Sequence, residues 1–376
     1  MNACRKPGLY VHFPFCRSKC PYCAFFSIPS STLIPRWIDG IERESATYEG
    51  RFGRFDSLYL GGGTPTLMDI ETLSSLMDHL FSHFAFTPDP EMTIEANPND
   101  LSKDKLHALK GLGFNRISIG IQSFDDRILT FLGRRHTAKE AEEALTIVRS
   151  SGFKNIGLDL MYGFEEQPLK EWIGTLKRAV HFQPEHISCY QLTFEDKTPF
   201  GRLRHRGLIR PLNENEERSF FLATSQFLRD KGYSHYEISS FSRDRAGYSL
   251  HNSKYWDHTP YLGLGPSAHS FDGSRRWWNV QSVRRYCEAL EGERTPLSGC
   301  ERLTDEQLRL ESIALGLRTR KGFDLTNIHH NSESNDMVLR LRDSGFLRVT
   351  SGRVIPTTKG FLVADSLPIC LSSTKA

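Results

Sequence analysis

The first half of the chain alternates between short apolar runs and longer helical patterns. Six β-strands are predicted from the β-branched and apolar runs, at residues 9–13, 57–60, 92–96, 116–121, 155–161 and 186–192. Helical periodicity fills the intervals, at residues 32–48, 70–84, 103–112, 138–151 and 169–182. Strands that alternate with helices form parallel sheets with right-handed crossovers. The pattern therefore predicts an α/β fold built on a parallel sheet.

Residues suited to ligand binding lie at or just beyond the carboxyl ends of these strands. They are a cysteine-rich loop, the run 61–64, Glu95, Gln122 and Asp159. Parallel sheets bind their ligands at this edge. The placement predicts one site assembled from several strand ends.

The alternation weakens after residue 195, which predicts a change of architecture. A helix at 215–231 and a strand at 234–241 precede a stretch rich in Gly, His and aromatic residues. We expect a covering α+β subdomain at 196–295, after a strand–helix domain at 1–195. Two helices, at 304–316 and 334–344, and a hairpin around Ser351-Gly352 then predict a small winged-helix-like unit at 296–376. A purely structural cap is the alternative for that unit.

Composition and charge are those of a soluble globular protein. The chain has 376 residues, 38% hydrophobic and 25% charged, with a formal net charge of +3. So small a positive charge argues against a protein that binds nucleic acid mainly by electrostatics. No apolar run of about 18 residues is present, and the first seven residues do not resemble a signal peptide. We therefore expect a cytoplasmic protein with reduced thiols, and peripheral membrane contact is left open.

Three of the eight cysteines fall within eight residues, directly after the first predicted strand. Cys16, Cys20 and Cys23 have the spacing C-x3-C-x2-C. Three thiolates can bind three irons of a [4Fe–4S] cluster and leave the fourth iron open to a small molecule. A structural zinc ion needs a fourth ligand, for which His12 and Cys4 are the nearby candidates. The spacing favours the cluster, with zinc as the alternative.

Two further features fit a ligand beside the cysteines. The run Gly-Gly-Gly-Thr-Pro at 61–65 lets the backbone approach a ligand closely, although such runs also form simple turns. Asp159 lies inside an apolar strand, where a charge is costly unless it is paired or binds a ligand. Arg134 is a candidate partner for Asp159 or for a ligand carboxylate, and a purely structural Arg–Asp pair is the alternative.

The cysteine motif, with an aromatic residue before its last cysteine, resembles that of the radical S-adenosylmethionine (SAM) superfamily. In that family, methionine groups of SAM chelate the open iron, and one electron splits the sulfonium to give a 5′-deoxyadenosyl radical. The resemblance implies a partial (β/α)6 TIM-like barrel, a [4Fe–4S] cluster and SAM as cofactors, and an electron donor such as flavodoxin or ferredoxin. It also implies that the glycine run holds the amino group of SAM.

Nearly the whole chain is similar to one branch, the oxygen-independent coproporphyrinogen III oxidases and their haem-binding relatives, the HemW-type chaperones. By that likeness, Tyr10, Gly62 and Glu95 would contact the SAM on the cluster. A second pocket, which holds a second SAM in the oxidases, would be lined by Gly63, Thr64, Gln122, Arg134 and Asp159. Thr193 and His269 match weaker contact positions in the same likeness.

Two departures from the oxidase pattern favour the chaperones. The oxidases have a further cysteine where this chain has Phe25, and they carry a longer segment before the cluster motif than the fifteen residues found here. The block His251-Asn-Ser-Lys-Tyr-Trp256 also resembles the His-Asn-x-x-Tyr-Trp block of the chaperones. Imidazole is a common haem ligand, so His251 is a candidate axial ligand, with a satisfied structural histidine as the alternative. Three more histidines, His235, His258 and His269, compete with it.

These features predict a haem chaperone that binds haem, a cluster and SAM and delivers haem to an acceptor protein, a respiratory protein among the candidates. One alternative is an oxygen-independent coproporphyrinogen III oxidase, which would decarboxylate propionates in porphyrin biosynthesis. Another is a radical enzyme with an unrelated substrate. Whether the protein is an enzyme is left open.

Overall fold

The computed structural model describes residues 6–164, 166–328 and 332–372 of the chain. Six strands form its centre: β1 (Gly8–Phe13), β2 (Phe55–Gly62), β3 (Phe86–Ala96), β4 (Arg116–Gln122), β5 (Asn155–Tyr162) and β6 (His186–Gln191). The helices between them are α1 (Ile34–Thr47), α2 (Ile70–His83), α3 (Lys103–Gly111), α4 (Asp126–Phe131), α5 (Ala138–Ser150) and α6 (Leu169–His181). Neighbouring strands pair in parallel from β1 to β6, so the predicted strand–helix alternation is confirmed.

Local sequence signals set the starts of these helices. Thr137 and Glu140 form a capping box at the start of α5, which satisfies two backbone N–H groups. Asp69 and Ser102 accept backbone hydrogen bonds in the same way at α2 and α3. The helices bury apolar faces against the sheet, where side chains such as Leu58 are fully buried. The strand ends are therefore held on a rigid, continuous core.

The region after β6 extends the same sheet at both edges. Its elements are α7 (Pro199–His205), α8 (Glu214–Asp230), β7 (Ser234–His235), β8 (Ser240–Ser242), α9 (Leu250–Trp256), β9 (Tyr261–Leu264), β10 (His269–Phe271), β11 (Arg275–Asn279), α10 (Val283–Glu291) and β12 (Leu297–Arg302). β9 pairs in parallel with β1, and the strand order is β12-β11-β10-β9-β1-β2-β3-β4-β5-β6-β8-β7. The single strand predicted at 234–241 is a hairpin of two short strands.

The aromatic stretch of this region covers the amino ends of the central strands. A Cβ on Gly8 would lie 2.7 Å from the Lys254 side chain and 3.0 Å from His251 Nδ1, which places α9 against the start of β1. Core residues on both sides of position 195, such as Leu158 and Leu262, belong to one cluster. The predicted boundary at 195 therefore does not divide the core.

A smaller unit with its own core follows β12. It contains α11 (Asp305–Gly316), β13 (Phe323–Asp324), α12 (Ser332–Asp343), β14 (Leu347–Thr350), β15 (Arg353–Pro356), α13 (Thr358–Phe361) and α14 (Leu367–Ser372). Two helices and the hairpin around Ser351-Gly352 stand in the predicted order, and the winged-helix comparison stays a prediction. Ile238 N donates to Arg318 O at 2.8 Å and ties the unit to the β7–β8 turn. Among the described residues, no helix has the length and apolar character needed to cross a bilayer.

Candidate functional site

The three cysteines lie on one loop between β1 and α1. Cys16 N donates to Ile28 O at 3.0 Å, which closes the base of the loop. All three thiols are partly buried and free of disulfides. Burial raises the pKa of Cys23, and the nearby Cys20 and Cys16 contribute to the rise. Cys20 and Cys16 therefore lie close enough to Cys23 to influence its ionisation.

The available ligands fit an iron–sulfur cluster better than zinc. His12 is engaged, because its ring nitrogens lie 2.9 Å from Tyr10 OH and 2.8 Å from Phe26 O. The other zinc-ligand candidate, Cys4, lies outside the described residues. Within the described ranges, no three His, Cys, Asp or Glu side chains are gathered closely enough to enclose a single ion. Thiolates that bind separate irons of a cluster do not need to converge on one point.

Backbone hydrogen bonds hold the glycine run against the cysteine loop. Gly63 N donates to Phe13 O at 2.7 Å, and Thr64 N donates to Phe15 O at 2.8 Å. A Cβ on Gly63 would lie 2.4 Å from Phe15 O, so only glycine fits there. Gly62 has a φ of 108°, which also favours glycine. The run can therefore present its peptide groups directly beside the cysteines.

Glu95 is oriented by two donors at the end of β3. Tyr59 OH donates to Oε1 at 2.8 Å, and Gly62 N donates to Oε2 at 3.0 Å. Burial raises the pKa of Glu95 to about 7, and the nearby Asp159 adds to the rise. Each carboxyl oxygen keeps capacity for a further donor, such as a ligand hydroxyl. Tyr10 lies beside this pair, with its ring 6.1 Å from that of Tyr59.

Asn97, which the sequence did not single out, joins Thr64 to Arg134. Its Nδ2 donates to Thr64 Oγ1 at 2.9 Å, and its Oδ1 accepts from the Arg134 guanidinium. Thr64 Oγ1 lies 3.7 Å from Cys16 Sγ, and the guanidinium lies 3.6 Å from Cys20 Sγ. A chain of contacts thus runs from one cysteine to another. The signal that could have revealed Asn97 is its position on the same strand end as Glu95.

The end of β4 has an irregular backbone that brings Gln122 near Arg134. Gln122 has a φ of 64°, which is uncommon outside glycine. The register between β4 and β5 shifts between Gly120 and Gln122. A Cβ on Gly120 would lie 3.0 Å from Gln122 Nε2 and 3.2 Å from the Arg134 guanidinium. The absence of a side chain at Gly120 therefore leaves room for both polar groups.

Asp159 has serine partners, and Arg134, one of the candidate partners that the sequence offered, is engaged elsewhere. Ser118 Oγ donates to Asp159 Oδ2 at 3.0 Å. Burial raises the pKa of Asp159, and Arg134 opposes the rise only through its more distant charge. Arg134 does not pair with Asp159 here, because its guanidinium donates to Asn97 and to Gly120 O. Its other candidate role, binding a ligand carboxylate, stays a prediction. The weaker candidate Thr193 is exposed just beyond β6.

His251 lies toward the amino ends of the strands, with its ring 5.2 Å from that of Tyr59 and 6.2 Å from that of Tyr10, and both of its ring nitrogens are engaged. Its ring is 1% exposed, with Nδ1 3.0 Å from Ser57 Oγ and Nε2 2.9 Å from Tyr255 OH. Burial lowers the pKa of His251 to about 3. Binding to haem iron would break one of these buried hydrogen bonds. Neither ring nitrogen is free in this structure, which agrees with the structural alternative for His251, and its haem role stays a prediction.

A large cleft opens at this amino end, between the barrel and the C-terminal unit. Its volume is about 1590 Å³, and its walls include Tyr236, Tyr248, Trp256 and Phe323. Trp256 belongs to the same block as His251 but faces this cleft. The cleft and the cysteine loop therefore lie at opposite ends of the strands.

Comparison with known proteins identifies the family of this chain. The Radical SAM superfamily model matches residues 10–179. The heme chaperone HemW of Mycobacterium tuberculosis is 31% identical over 96% of this chain and 93% of its own length. The heme chaperone HemW of Bacillus subtilis is 35% identical over 83% of both chains. This chain belongs to the HemW family of radical SAM proteins.

The fold of this HemW-family chain is that of a solved radical SAM enzyme. The coproporphyrinogen III oxidase (HemN) of Escherichia coli superimposes with a TM-score of 0.83, covering 99% of this chain and 91% of that chain at 24% identity. The likeness confirms the partial-barrel α/β fold.

Proposed function

We propose that the protein is a cytoplasmic haem chaperone that binds haem, a [4Fe–4S] cluster and SAM, and passes haem to an acceptor protein. The observation that carries this proposal is the identity of 31% and 35% with HemW chaperones over most of the chain. Phe25 supports it, because the oxidases have a cysteine at that position. We expect the acceptor to be a haem-binding protein, and a respiratory protein is one candidate.

Different strand-end residues would hold the cluster and the SAM. Cys16, Cys20 and Cys23 would bind three irons of the cluster. Gly62 and Glu95, beside Tyr10, would hold the amino group and ribose of SAM. The hydrogen-bonded side chains of Thr64, Asn97 and Arg134 would line the remaining space. When bound, the reduced cluster supplies the electron that cleaves the sulfonium of SAM. The protein's own part is to orient Glu95 and to keep the glycine backbone against the cysteine loop.

The face around Phe25 suits an acidic electron donor such as flavodoxin or ferredoxin. Phe25 is 69% exposed on the cysteine loop, and Lys19 Nζ donates to its carbonyl at 3.0 Å. α7 adjoins the loop, since Phe200 N donates to Pro21 O at 3.0 Å. The exposed arginines that follow, at 202, 204, 206 and 210, add positive charge. An apolar centre with basic neighbours favours an acidic partner.

The deciding experiment compares haem with coproporphyrinogen III. The purified, cluster-loaded protein is titrated with haem under anaerobic conditions, and a parallel sample receives coproporphyrinogen III, SAM and a reductant. We expect tight one-to-one haem binding and no decarboxylated porphyrinogen. Stoichiometric conversion of coproporphyrinogen III would identify an oxidase and refute the chaperone proposal.

A second experiment tests the cluster ligands. Cys20→Ala removes one of three iron ligands, so we expect it to lose most of the cluster absorbance and iron after anaerobic reconstitution. Cys300→Ala is the matched control, because Cys300 is also a free thiol but lies exposed on β12. Equal iron content in the two variants would contradict the assignment.

A further inference from the structure

The four histidines that the sequence offers as haem ligands differ in exposure and in hydrogen bonding. His251 and His235 are 1% and 5% exposed, and both ring nitrogens of each have hydrogen-bond partners. His258 is engaged by Glu311 at 3.0 Å and Ser312 at 3.2 Å. His269 is exposed, and within the described part of the chain its ring forms no hydrogen bond. Only His269, of the four, can offer a nitrogen to iron without losing a partner.

The sheet register puts His269 on the same face as Tyr10. Tyr10 pairs with Gly263 in β9, and Tyr261, two residues earlier in β9, pairs with Phe271 in β10. Phe271 lies two residues after His269. Side chains two residues apart point to the same face of a sheet. His269 therefore faces the barrel interior, on the side where Tyr10 stands beside the proposed SAM site.

Two glycines make room for His269 and for the ring that supports it. A Cβ on Gly263 would lie 2.2 Å from His269 O, so the missing side chain lets the start of β10 pass close to β9. The rings of His269 and Trp278 stack at 5.8 Å with 22° between their planes. A Cβ on Gly299 would lie 2.5 Å from the Trp278 ring, so that glycine also leaves space for the pair. The imidazole is thus accessible and held in a defined orientation.

We propose that His269 is the axial ligand of the haem iron and that Trp278 holds its ring in place. The inference rests on the proposed haem chaperone function and adds the residue and the location to it. The bond is dative, from an imidazole nitrogen to iron, so nothing is oxidised and no other group is transferred. His269 is exposed to solvent, but partial desolvation of its ring, together with the charge of Arg276, lowers the pKa of His269, which favours the neutral ring that metals bind. Haem and SAM would then occupy one lumen.

The test is a titration of ferric haem into the anaerobic, cluster-loaded protein, followed by absorbance. His269→Ala should bind haem at least about tenfold more weakly and lose the Soret band of the wild-type complex. His269→Gly should regain that band when imidazole is added. His107→Ala is the matched control, because His107 is an exposed histidine on α3, outside the barrel, and its haem binding should equal that of the wild type.

Three results would overturn the assignment. His269→Ala could bind haem with wild-type affinity and spectrum. A folded His251→Ala variant, checked by circular dichroism, could lose haem while His269→Ala keeps it. His269→Ala could also lose SAM binding alone, which would make His269 a SAM contact. Failure of the wild-type protein to bind haem is a different result, because it refutes the chaperone function whichever residue is the ligand.

Discussion

Asn97 uses both ends of its amide to join two parts of the site. One end donates to Thr64 beside Cys16, and the other accepts from Arg134 beside Cys20. An aspartate could not donate to Thr64, and an alanine would remove one hydrogen bond from each partner. The residue therefore acts by positioning its neighbours.

We expect Asn97→Ala to weaken SAM binding about tenfold while the iron content stays near that of the wild type. The reason is that Thr64 and Arg134 lose their shared partner, whereas the three thiols are unchanged. SAM titrations followed by the EPR spectrum of the reduced cluster measure the effect. Asn99→Ala is the control, because Asn99 is exposed and its side chain donates to the backbone oxygen of Arg135 rather than to Thr64 or Arg134. The same SAM response in both variants would contradict this role.

Glu44 is a buried carboxyl on α1, outside the candidate site. Tyr286 OH and Gly265 N donate to it at 2.6 and 2.8 Å. Burial nevertheless raises the pKa of Glu44 from 4.5 to about 7. An acid whose pKa is higher in the folded state stabilises the protein at low pH. That contribution is lost as the pH rises from about 4.5 to about 7.

Glu44→Gln cannot ionise, so it should abolish this pH dependence. The free energy of unfolding of the wild type, relative to Glu44→Gln, should fall by on the order of 3 kcal/mol between pH 4.5 and 7.5. Urea unfolding of the apo-protein at both pH values measures it. Glu49→Gln, at an exposed position just after α1, should leave the wild-type profile unchanged. A difference between wild type and Glu44→Gln that does not vary with pH would refute the prediction.

At the scale of elements, the bounds of the helices and strands with clear periodicity in the first half could be predicted closely from the sequence. The helix predicted at 103–112 is Lys103–Gly111, and the strand predicted at 116–121 is Arg116–Gln122. Their periodicity and caps are local signals that a sequence displays directly. β9 and β10 were missed because they have four and three residues and depend on distant partners. Short strands carry little periodic signal.

The candidate site was predicted in part for the same reason. Strand topology brings Glu95, Gln122 and the cysteine loop to one edge, so their proximity follows from the order of elements. The partners of Arg134 and the direction of His251 depend on rotamers and on the register of strands far apart in the chain. Sequence periodicity contains information on neither, which is why the sequence could not choose between the alternatives for Arg134 and for His251.

The contact between the glycine run and the cysteine loop leads to a prediction for the elements that meet there. Gly63→Ala would place a Cβ 2.4 Å from Phe15 O and 2.8 Å from Phe13 O, so the run must move away from the end of β1. We expect a loss of about 1–3 kcal/mol in stability and less cluster after reconstitution. Gly53→Ala, which meets no atom within 4 Å, should change stability by less than about 0.5 kcal/mol. Urea unfolding and iron content measure both, and normal cluster loading in Gly63→Ala would count against the contact.

At the scale of the whole molecule, the barrel and the C-terminal unit have separate hydrophobic cores. A mutation in the C-terminal core should therefore lower stability without lowering the iron content. Leu317 is fully buried in the C-terminal cluster, which shares no residue with the barrel core. Leu317→Ala should lower the free energy of unfolding by about 2–5 kcal/mol. Iron content after reconstitution should stay near that of the wild type, since every proposed cluster ligand lies in the barrel. Loss of both together would show that the two cores are coupled.

The central strand that leads into the cysteine loop has a consequence for biogenesis. β1 pairs on one side with β9, about 250 residues further along the chain. During synthesis the cysteines therefore leave the ribosome long before the sheet beside them can close, and non-local pairing of this kind is slow. A cluster inserted early would meet an incomplete barrel open to solvent and oxidants. Cluster insertion is therefore expected after translation, on the folded chain.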